Sequence, residues 1–191
     1  MIGDTHTLSA TEQRIAIWLS KMRYQAARNA GVTDKKVGNQ SNEDTDLEGI
    51  ASEMAFCRMF NLYPDLSVGA RSASQGDENG DARLHCGSVV DVKTTKYSSG
   101  RLIAAKWKGA NNNIDYYALM VGEFPTYTFR GFMDSSELMK QDRLGKLPGQ
   151  INECHMAKQY ELTDAPQCAS VRLNTPNVRE VHEKYTNERT K

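Results

Sequence analysis

Between residues 9 and 30 apolar side chains recur at helical spacing: Ile15, Trp18, Leu19, Met22 and Ala26 fall on one side of a helix. Ser9 and Glu12 form a capping box at its start, and Gly31 stops it near Ala30. This predicts an N-terminal amphipathic helix. Arg14, Lys21 and Arg28 lie seven apart and form one basic stripe, which reads either as a solvated face or as a phosphate-facing one. Residues 31–46 are polar and read as a loop. A second helix starts near Thr45, with Glu48 completing another capping box, and ends near Asn61 before Pro64. On a helical wheel Gly49, Phe56, Phe60, Cys57, Ile50, Met54 and Leu47 fill one wide apolar arc, and Glu53 falls in its middle. A glutamate there is expensive unless something pairs with its charge. Glu48 and Ser52 lie on the narrow polar side.

After the turn-rich stretch 65–80 the period changes to two. Residues 81–86 read as a short strand, Gly87-Ser88 as a hairpin turn, and residues 89–97 as the partner strand. Val90 and Val92 share one face of that partner; Asp91, Lys93 and Thr95 share the other. Residues 101–107 predict a third strand in the meander and residues 111–113 a loop. Residues 115–122 and 127–133 predict another hairpin, joined through Glu123-Phe124-Pro125. Asp134 with Glu137 caps a short helix, residues 143–157 are irregular, and residues 158–163 read as a last strand. Residues 171–191 are polar and form a loosely held tail. The expected architecture is one mixed α/β domain over residues 1–170, with its core at 45–133.

A chain of 191 residues suits one such domain. The 24 basic and 24 acidic residues give no net charge. An all-over coat of positive charge is excluded, and a nucleic-acid contact must come from a local patch. No apolar run approaches the roughly 20 residues that span a bilayer, and the first residues, MIGDTHTLSATEQ, are polar. The expectation is a cytoplasmic protein without membrane contact. Cys57, Cys86, Cys154 and Cys168 form no CxxC pair and are expected to be reduced, with no structural zinc. His6, His85, His155 and His182 are scattered and receive no role.

The candidate chemistry lies in residues 80–95. Asp91 and Lys93, two apart on a strand, point to the same face. Asp81 opens the preceding strand, and a tight hairpin brings it beside Asp91. Two such carboxylates repel unless a cation bridges them. Magnesium, which takes hard oxygen ligands and keeps several waters, suits the pair. Lys93 can hold a water or a phosphate oxygen, and Glu53 can add a third carboxylate from the second helix. Asp77 rivals Asp81, but Asp81 begins the strand and pairs better in register. From Val92 to Ile114 there are Lys93, Lys96, Arg101, Lys106 and Lys108 and no Asp or Glu. Tyr97 and Trp107 interleave with them and either stack on bases or fill a charged sheet edge. Glu43, Asp44, Asp46, Glu48 and Glu53 make an opposing acidic stretch.

Helix glutamate, Asp81 and Asp91-Val92-Lys93, in that order, resemble the PD-(D/E)XK nuclease superfamily with its restriction-endonuclease-like fold. Gly49-xxx-Glu53-Met54-Ala55 is similar to the helix that often precedes that signature, and Val90-Asp91-Val92-Lys93-Thr94-Thr95 looks like its catalytic strand. The resemblance covers roughly residues 45–133 and has the flavour of phage or mobile-element members, in a bacterial or infected host cell. It implies a central mixed sheet flanked by helices and a site of Glu53, Asp81, Asp91 and Lys93. Glu53, Asp81, Asp91 and the Val92 carbonyl would serve the metal, magnesium, with manganese able to substitute. It implies hydrolysis of phosphodiester bonds in DNA, with Lys96, Arg101, Lys106 and Lys108 contacting the nucleic acid. Cutting both strands usually needs two active sites, which leaves a homodimer open. The alternative is a nuclease-like fold without catalysis, serving as a DNA-binding or host-protein-interaction module. Two departures stand out. Gly80 replaces the motif's proline, and only residues 108–114 are available for the helix that the family core carries between its third and fourth strands.

Overall fold

The computed structural model describes residues 1–31, 42–68, 80–106, 113–147 and 152–164. Most of the expected loop 31–46, much of the turn-rich stretch with Asp77, Trp107, Lys108, Cys168 and the tail 171–191 lie outside the described residues.

Helix α1 (Ala10–Asn29) starts where its capping box predicts. Ser9 Oγ accepts the Glu12 N–H at 3.3 Å, and Glu12 Oε2 accepts the Ser9 N–H at 2.8 Å. Its buried face is turned from the expected one. Ala16, Leu19 and Ser20 are buried, while Trp18 is 56% exposed. The cause is the partner: α1 packs on helix α2 (Asn42–Met59), and small residues let the two helices approach closely. Helix α2 begins earlier than expected, because Glu43 and Asp44 suit the positive end of the helix dipole.

Eight strands lie among the described residues, and they match the strands expected from the sequence only in part. They are β1 (Thr5–Thr7), β2 (Ala82–Arg83), β3 (Val89–Thr95), β4 (Leu102–Ala105), β5 (Tyr116–Glu123), β6 (Thr126–Asp134), β7 (Leu144–Gly145) and β8 (Cys154–Ala157). A mixed five-stranded sheet has the order β1-β6-β5-β3-β2, with only β3 and β5 parallel. Strand β4 does not continue the expected meander. It leaves the sheet and pairs with β8 in a second, antiparallel sheet, β4-β8-β7. Residues 143–157 are thus partly strand. Residues 158–163 are not a strand but hold a 3-10 turn, Gln159–Glu161, and a single bridge from Thr163 to Phe132. A short helix α3 (Ser135–Leu138) follows β6, capped by Asp134 as predicted.

Three layers result: α1 and α2, the five-stranded sheet, and the small sheet with α3. Val90, Val92, Ala118 and Met120 pack under α2, whereas Val89, Tyr117, Leu119 and Val121 face the small sheet. A bulge in β6, where the register shifts between Leu119 and Met120, resets the alternation at Arg130-Gly131. Phe129 and Phe132 therefore share the helix face despite lying three apart. There they meet Phe56 and Phe60, with ring centroids 4.6–6.3 Å apart. Gly131, at φ +125°, is needed at the bulge; a Cβ there would lie 2.7 Å from Leu162.

Two residues expected on a polar side bond to the rest of the protein instead, Ser52 buried and Glu48 half-buried. The Ser52 hydroxyl donates to the Gly49 carbonyl at 2.8 Å and pairs with the Thr94 hydroxyl, pinning α2 to β3. The Glu48 carboxylate accepts the Phe124 N–H at 3.1 Å and the Tyr127 hydroxyl at 2.7 Å, tying α2 to the β5–β6 turn. The wheel placed both on the polar side because it saw one packing face, whereas α2 meets both the sheet and its turn. Cys57 and Cys154 carry free thiols, but Cys86 is disulfide-bonded, so four reduced cysteines is not the outcome. Cys86 sits in the exposed β2–β3 turn, where no packing shields a thiol. No helix among the described residues is long and apolar enough to cross a membrane.

Candidate active site

The β2–β3 hairpin builds the centre of the site. Gly87, at φ +93°, closes its turn by donating its N–H to Leu84 at 2.8 Å. Antiparallel pairing sets Ala82 opposite Val90 and Arg83 opposite Val89, and Asp81 comes immediately before these paired residues. The Asp81 N–H donates to the Val90 carbonyl at 2.8 Å, and its Oδ2 accepts the Val92 N–H at 2.8 Å. Asp81 thereby clasps β3 on both sides of Asp91. Both aspartates are buried, at 8% and 2% exposure.

Gly80 explains the first departure from the motif. Its φ of +59° is closed to proline, whose ring fixes φ at about −65°. A Cβ at Gly80 would lie 2.5 Å from Val89 Cγ1 and 2.8 Å from the Val90 carbonyl. The chain enters Asp81 through a turn that only glycine allows.

Asp91 and Lys93 point to the same face, as alternation predicts, and form an ion pair through Asp91 Oδ1. Burial pulls the Lys93 pKa down, but Asp91, Asp81 and Tyr117 outweigh it and hold the ammonium well above the ordinary lysine range. The two aspartates thus favour the protonated form of Lys93. Tyr117, fully buried, is the neighbour of Asp91 on the parallel strand β5. Sequence reasoning missed it, because the register of a parallel pair follows from the crossover and not from either strand.

Val92 is the third element of the edge. In a strand the N–H and C=O of one residue point to the same side. Its N–H bonds Asp81, so its carbonyl lies along the same edge, beyond the end of β2.

Glu53 comes from α2, on the other face of β3. Asp91 and Lys93 lie on the face of β3 opposite α2, because Val90 and Val92 occupy the helix side. The structure brings Glu53 instead to Arg23 of α1, with Nη1 to Oε2 at 3.6 Å and side chains only 12% and 17% exposed. Arg23 also meets Asp65 at 3.4 Å and donates to the carbonyls of Asp65 and Ser67. The price of a glutamate in an apolar arc is thus met by an arginine that the sequence analysis did not single out. The Cys57 thiol, one turn further along α2, is pushed up to about 12 by burial and then by the charges of Glu53 and Asp81.

Among the described residues no three His, Cys, Asp or Glu side chains come together as a metal-binding group. Magnesium asks for less: one or two carboxylates, the rest of its shell being water. Asp81 and Asp91 supply two hard carboxylates on one edge with the Val92 carbonyl beside them, so the residues fit such an ion in kind.

The expected basic patch is reduced. Lys96 and Arg101 are exposed, on the loop after β3 and at the start of β4. Lys106 is also exposed but bonds Glu153 at 2.7 Å, which largely cancels its charge. In the α1 stripe Arg14 and Lys21 are exposed, whereas Arg28 lies over the Tyr24 ring at 5.1 Å.

Comparison with curated proteins and with solved structures finds no match. Residues 1–139, which take in both helices, the whole five-stranded sheet and every residue of the candidate site, match the model of a family described as a family of unknown function (DUF5843), and the chain belongs to that family.

Proposed function

We propose that this protein is a magnesium-dependent nuclease that hydrolyses phosphodiester bonds in DNA, on a restriction-endonuclease-like variant of its mixed α/β fold. The observation that carries the reading is Asp81 bonded to β3 at Val90 and Val92, on either side of Asp91, with Lys93 paired to Asp91 on the same face. Two buried carboxylates beside a lysine exceed what the one bond to the Val92 N–H requires. The sheet supports the fold reading, since β3 runs parallel to β5 beneath a helix that carries a glutamate. Among the described residues its crossover holds β4 in place of the family's helix.

Bound between the aspartates, with manganese able to substitute, magnesium would supply an acidified water and Lewis-acid charge at the phosphoryl group. Asp81 and Asp91 would hold and orient it, with the Val92 carbonyl as a further donor. Lys93, held charged, orients the attacking water and stabilises charge that develops on the phosphoryl oxygens. Glu53, on the helix side of β3, adds negative charge, and Arg23 fixes its position. Lys96 and Arg101 offer phosphate contacts along the strand that follows.

Cleavage assays on linear, nicked and branched DNA, with magnesium, manganese or chelator, test the reading. Wild-type protein cleaves only with a divalent ion, and Asp91→Asn does not cleave. Lys93→Met loses the rate but binds the ion as well or slightly better in titration calorimetry, because an ammonium repels a cation. Cleavage by Asp91→Asn at the wild-type rate overturns the site. DNA binding without cleavage in any metal favours the non-catalytic module.

A further inference from the structure

Two tyrosines stand in water close to the site, each with a lysine over its ring. Tyr97 is 67% exposed and Tyr160 is 79% exposed. Lys96 Nζ lies 5.8 Å from the Tyr97 ring centroid, and Lys158 Nζ lies 5.5 Å from that of Tyr160. They are far apart in sequence, but one side chain joins their segments. Gln159 Nε2 donates to the carbonyls of Ser98 and Gly100, both at 2.8 Å. Each tyrosine is thus the immediate neighbour of a residue in that junction.

Both segments are held before any ligand arrives. The Tyr97 N–H donates to Thr95 Oγ1 at 3.3 Å, and the Gly100 N–H to the Tyr97 carbonyl at 2.8 Å. Around Tyr160, Glu161 accepts the Lys158 N–H at 2.6 Å and the Arg143 guanidinium at 2.8 Å. Glu161, the acidic group of this turn, is therefore occupied by Arg143. Arg101 adds a third exposed positive charge. Thr95 shares the face of Asp91 and Lys93, so the patch begins two residues beyond Lys93, about 7 Å at strand rise.

We propose that Tyr97 and Tyr160, with Lys96, Arg101 and Lys158, form a stacking platform for unpaired bases of a single-stranded nucleic acid beside the phosphodiester site. The proposal rests on the nuclease reading for the chemistry at Asp91, and it names the substrate class: DNA with single-stranded character, such as a tail, flap or splayed junction. The chemistry selects it. Every base has a π-face that a tyrosine ring can take, and a stacked base brings its phosphate to the ammonium beside that ring. A duplex hides those faces. An acidic peptide would use the lysines but would leave two open rings without a purpose.

Fluorescence anisotropy of a labelled oligothymidylate of about 15 nucleotides, with the full chain in chelator, reads binding without cleavage. The wild type prefers this strand to a duplex of equal length. Tyr97→Ala and Tyr160→Ala each weaken binding about 5- to 100-fold without shifting the melting temperature, since both rings are exposed. Tyr97→Phe and Tyr160→Phe keep the affinity, because stacking needs the ring and not the hydroxyl. Equal affinity for duplex and single strand, or alanine variants that bind like the wild type, overturns the platform. The site is scored separately: Asp91→Asn binds the strand at wild-type affinity. A wild type that cleaves nothing but binds through its tyrosines sinks the nuclease reading alone. A wild type that cleaves but binds regardless of its rings sinks the platform alone.

Discussion

Asp81 acts as a strand partner for Val92: its Oδ2 accepts the Val92 N–H at 2.8 Å, a donor that β2, beginning only at Ala82, is too short to pair. The Asp81 N–H donates to the Val90 carbonyl as well, so the residue holds β3 on either side of Asp91. One side chain therefore has a structural bond and a proposed ligand role, and two substitutions separate them. An asparagine can still accept the Val92 N–H, so Asp81→Asn keeps its urea midpoint while cleavage falls by at least ~100-fold at saturating magnesium. Asp81→Ala loses cleavage equally and also strands a buried donor, at about 1–3 kcal/mol. Asp77→Asn, in a segment outside the described residues, keeps near-wild-type cleavage. The reverse pattern, with Asp77→Asn dead and Asp81→Asn active, moves the first ligand to Asp77.

The Asp91–Lys93 face, the capping of α1 and the β2–β3 hairpin were legible in the sequence because each is local. Alternation at period two, or a Ser-x-x-Glu pair, is complete within a few residues. Long-range pairing is not local. Thr5–Thr7 is too short and polar to announce that it edges the sheet against β6. Leu102–Ala105 looks like the next strand of a meander, and nothing within it says that its partner is Cys154–Ala157. The parallel register that sets Tyr117 beside Asp91 depends on that same crossover. Glu53 was visible as a misplaced charge, but its partner Arg23 lies thirty residues away on another helix. Alternation puts Val90 and Val92 under α2, so Glu53 approaches from the helix side of β3 while Asp91 points to the other face.

That geometry grades the carboxylates. Glu53 stands on the helix side of β3 with its charge already paired, so Glu53→Gln lowers the cleavage rate only about tenfold, the order of one electrostatic contact. Arg23 keeps Asp65 in that variant, and the stability cost stays near 1–3 kcal/mol. Arg23→Met costs more, about 3 kcal/mol, because it leaves Glu53 largely buried without its guanidinium. Cleavage rates and urea midpoints of the two variants read both effects. Complete loss of cleavage in Glu53→Gln, matching Asp91→Asn, would move Glu53 among the metal ligands.

Salt dependence separates the exposed cations. Lys96 and Arg101 stand open, whereas Lys106 bonds Glu153 at 2.7 Å. Each lysine or arginine that neutralises a phosphate of duplex DNA contributes about 0.9 to the slope of log affinity against log salt. Lys96→Ala and Arg101→Ala therefore each lower the slope by about one, and Lys106→Ala leaves it unchanged. Anisotropy titrations over a salt series measure this. A slope indifferent to Lys96 and Arg101 transfers the contact surface to Arg14 and Lys21 on α1.

Alkaline stability reports the buried thiol beside the site. Burial, with the charges of Glu53 and Asp81, lifts the Cys57 pKa from 9.0 to about 12. An acid whose folded pKa is raised keeps its proton in the native state after the unfolded chain has lost it. The unfolded state then binds fewer protons, so stability falls as pH rises from about 9 towards 12, by up to about 1.4 kcal/mol per pH unit. Below pH 9 both states hold the proton and the group contributes no slope. Tyr127, raised by burial and by its bond to Glu48, and Lys93, raised by Asp91 against its burial, add the same sign at higher pH. Urea unfolding at a series of pH values from about 8 to about 11 should show the fall beginning near pH 9. Cys57→Ala should start less stable, because it leaves a cavity, and should fall less steeply than the wild type between pH 9 and 10, the Cys154 thiol, also raised by burial, keeping a residual slope. Wild-type protein at pH 8 should also resist alkylation at Cys57 until it is unfolded, since the reactive species is the thiolate. Equal slopes for wild type and Cys57→Ala across that first unit would mean that the thiol titrates normally, and that Glu53 and Asp81 do not bear on it as the geometry has them.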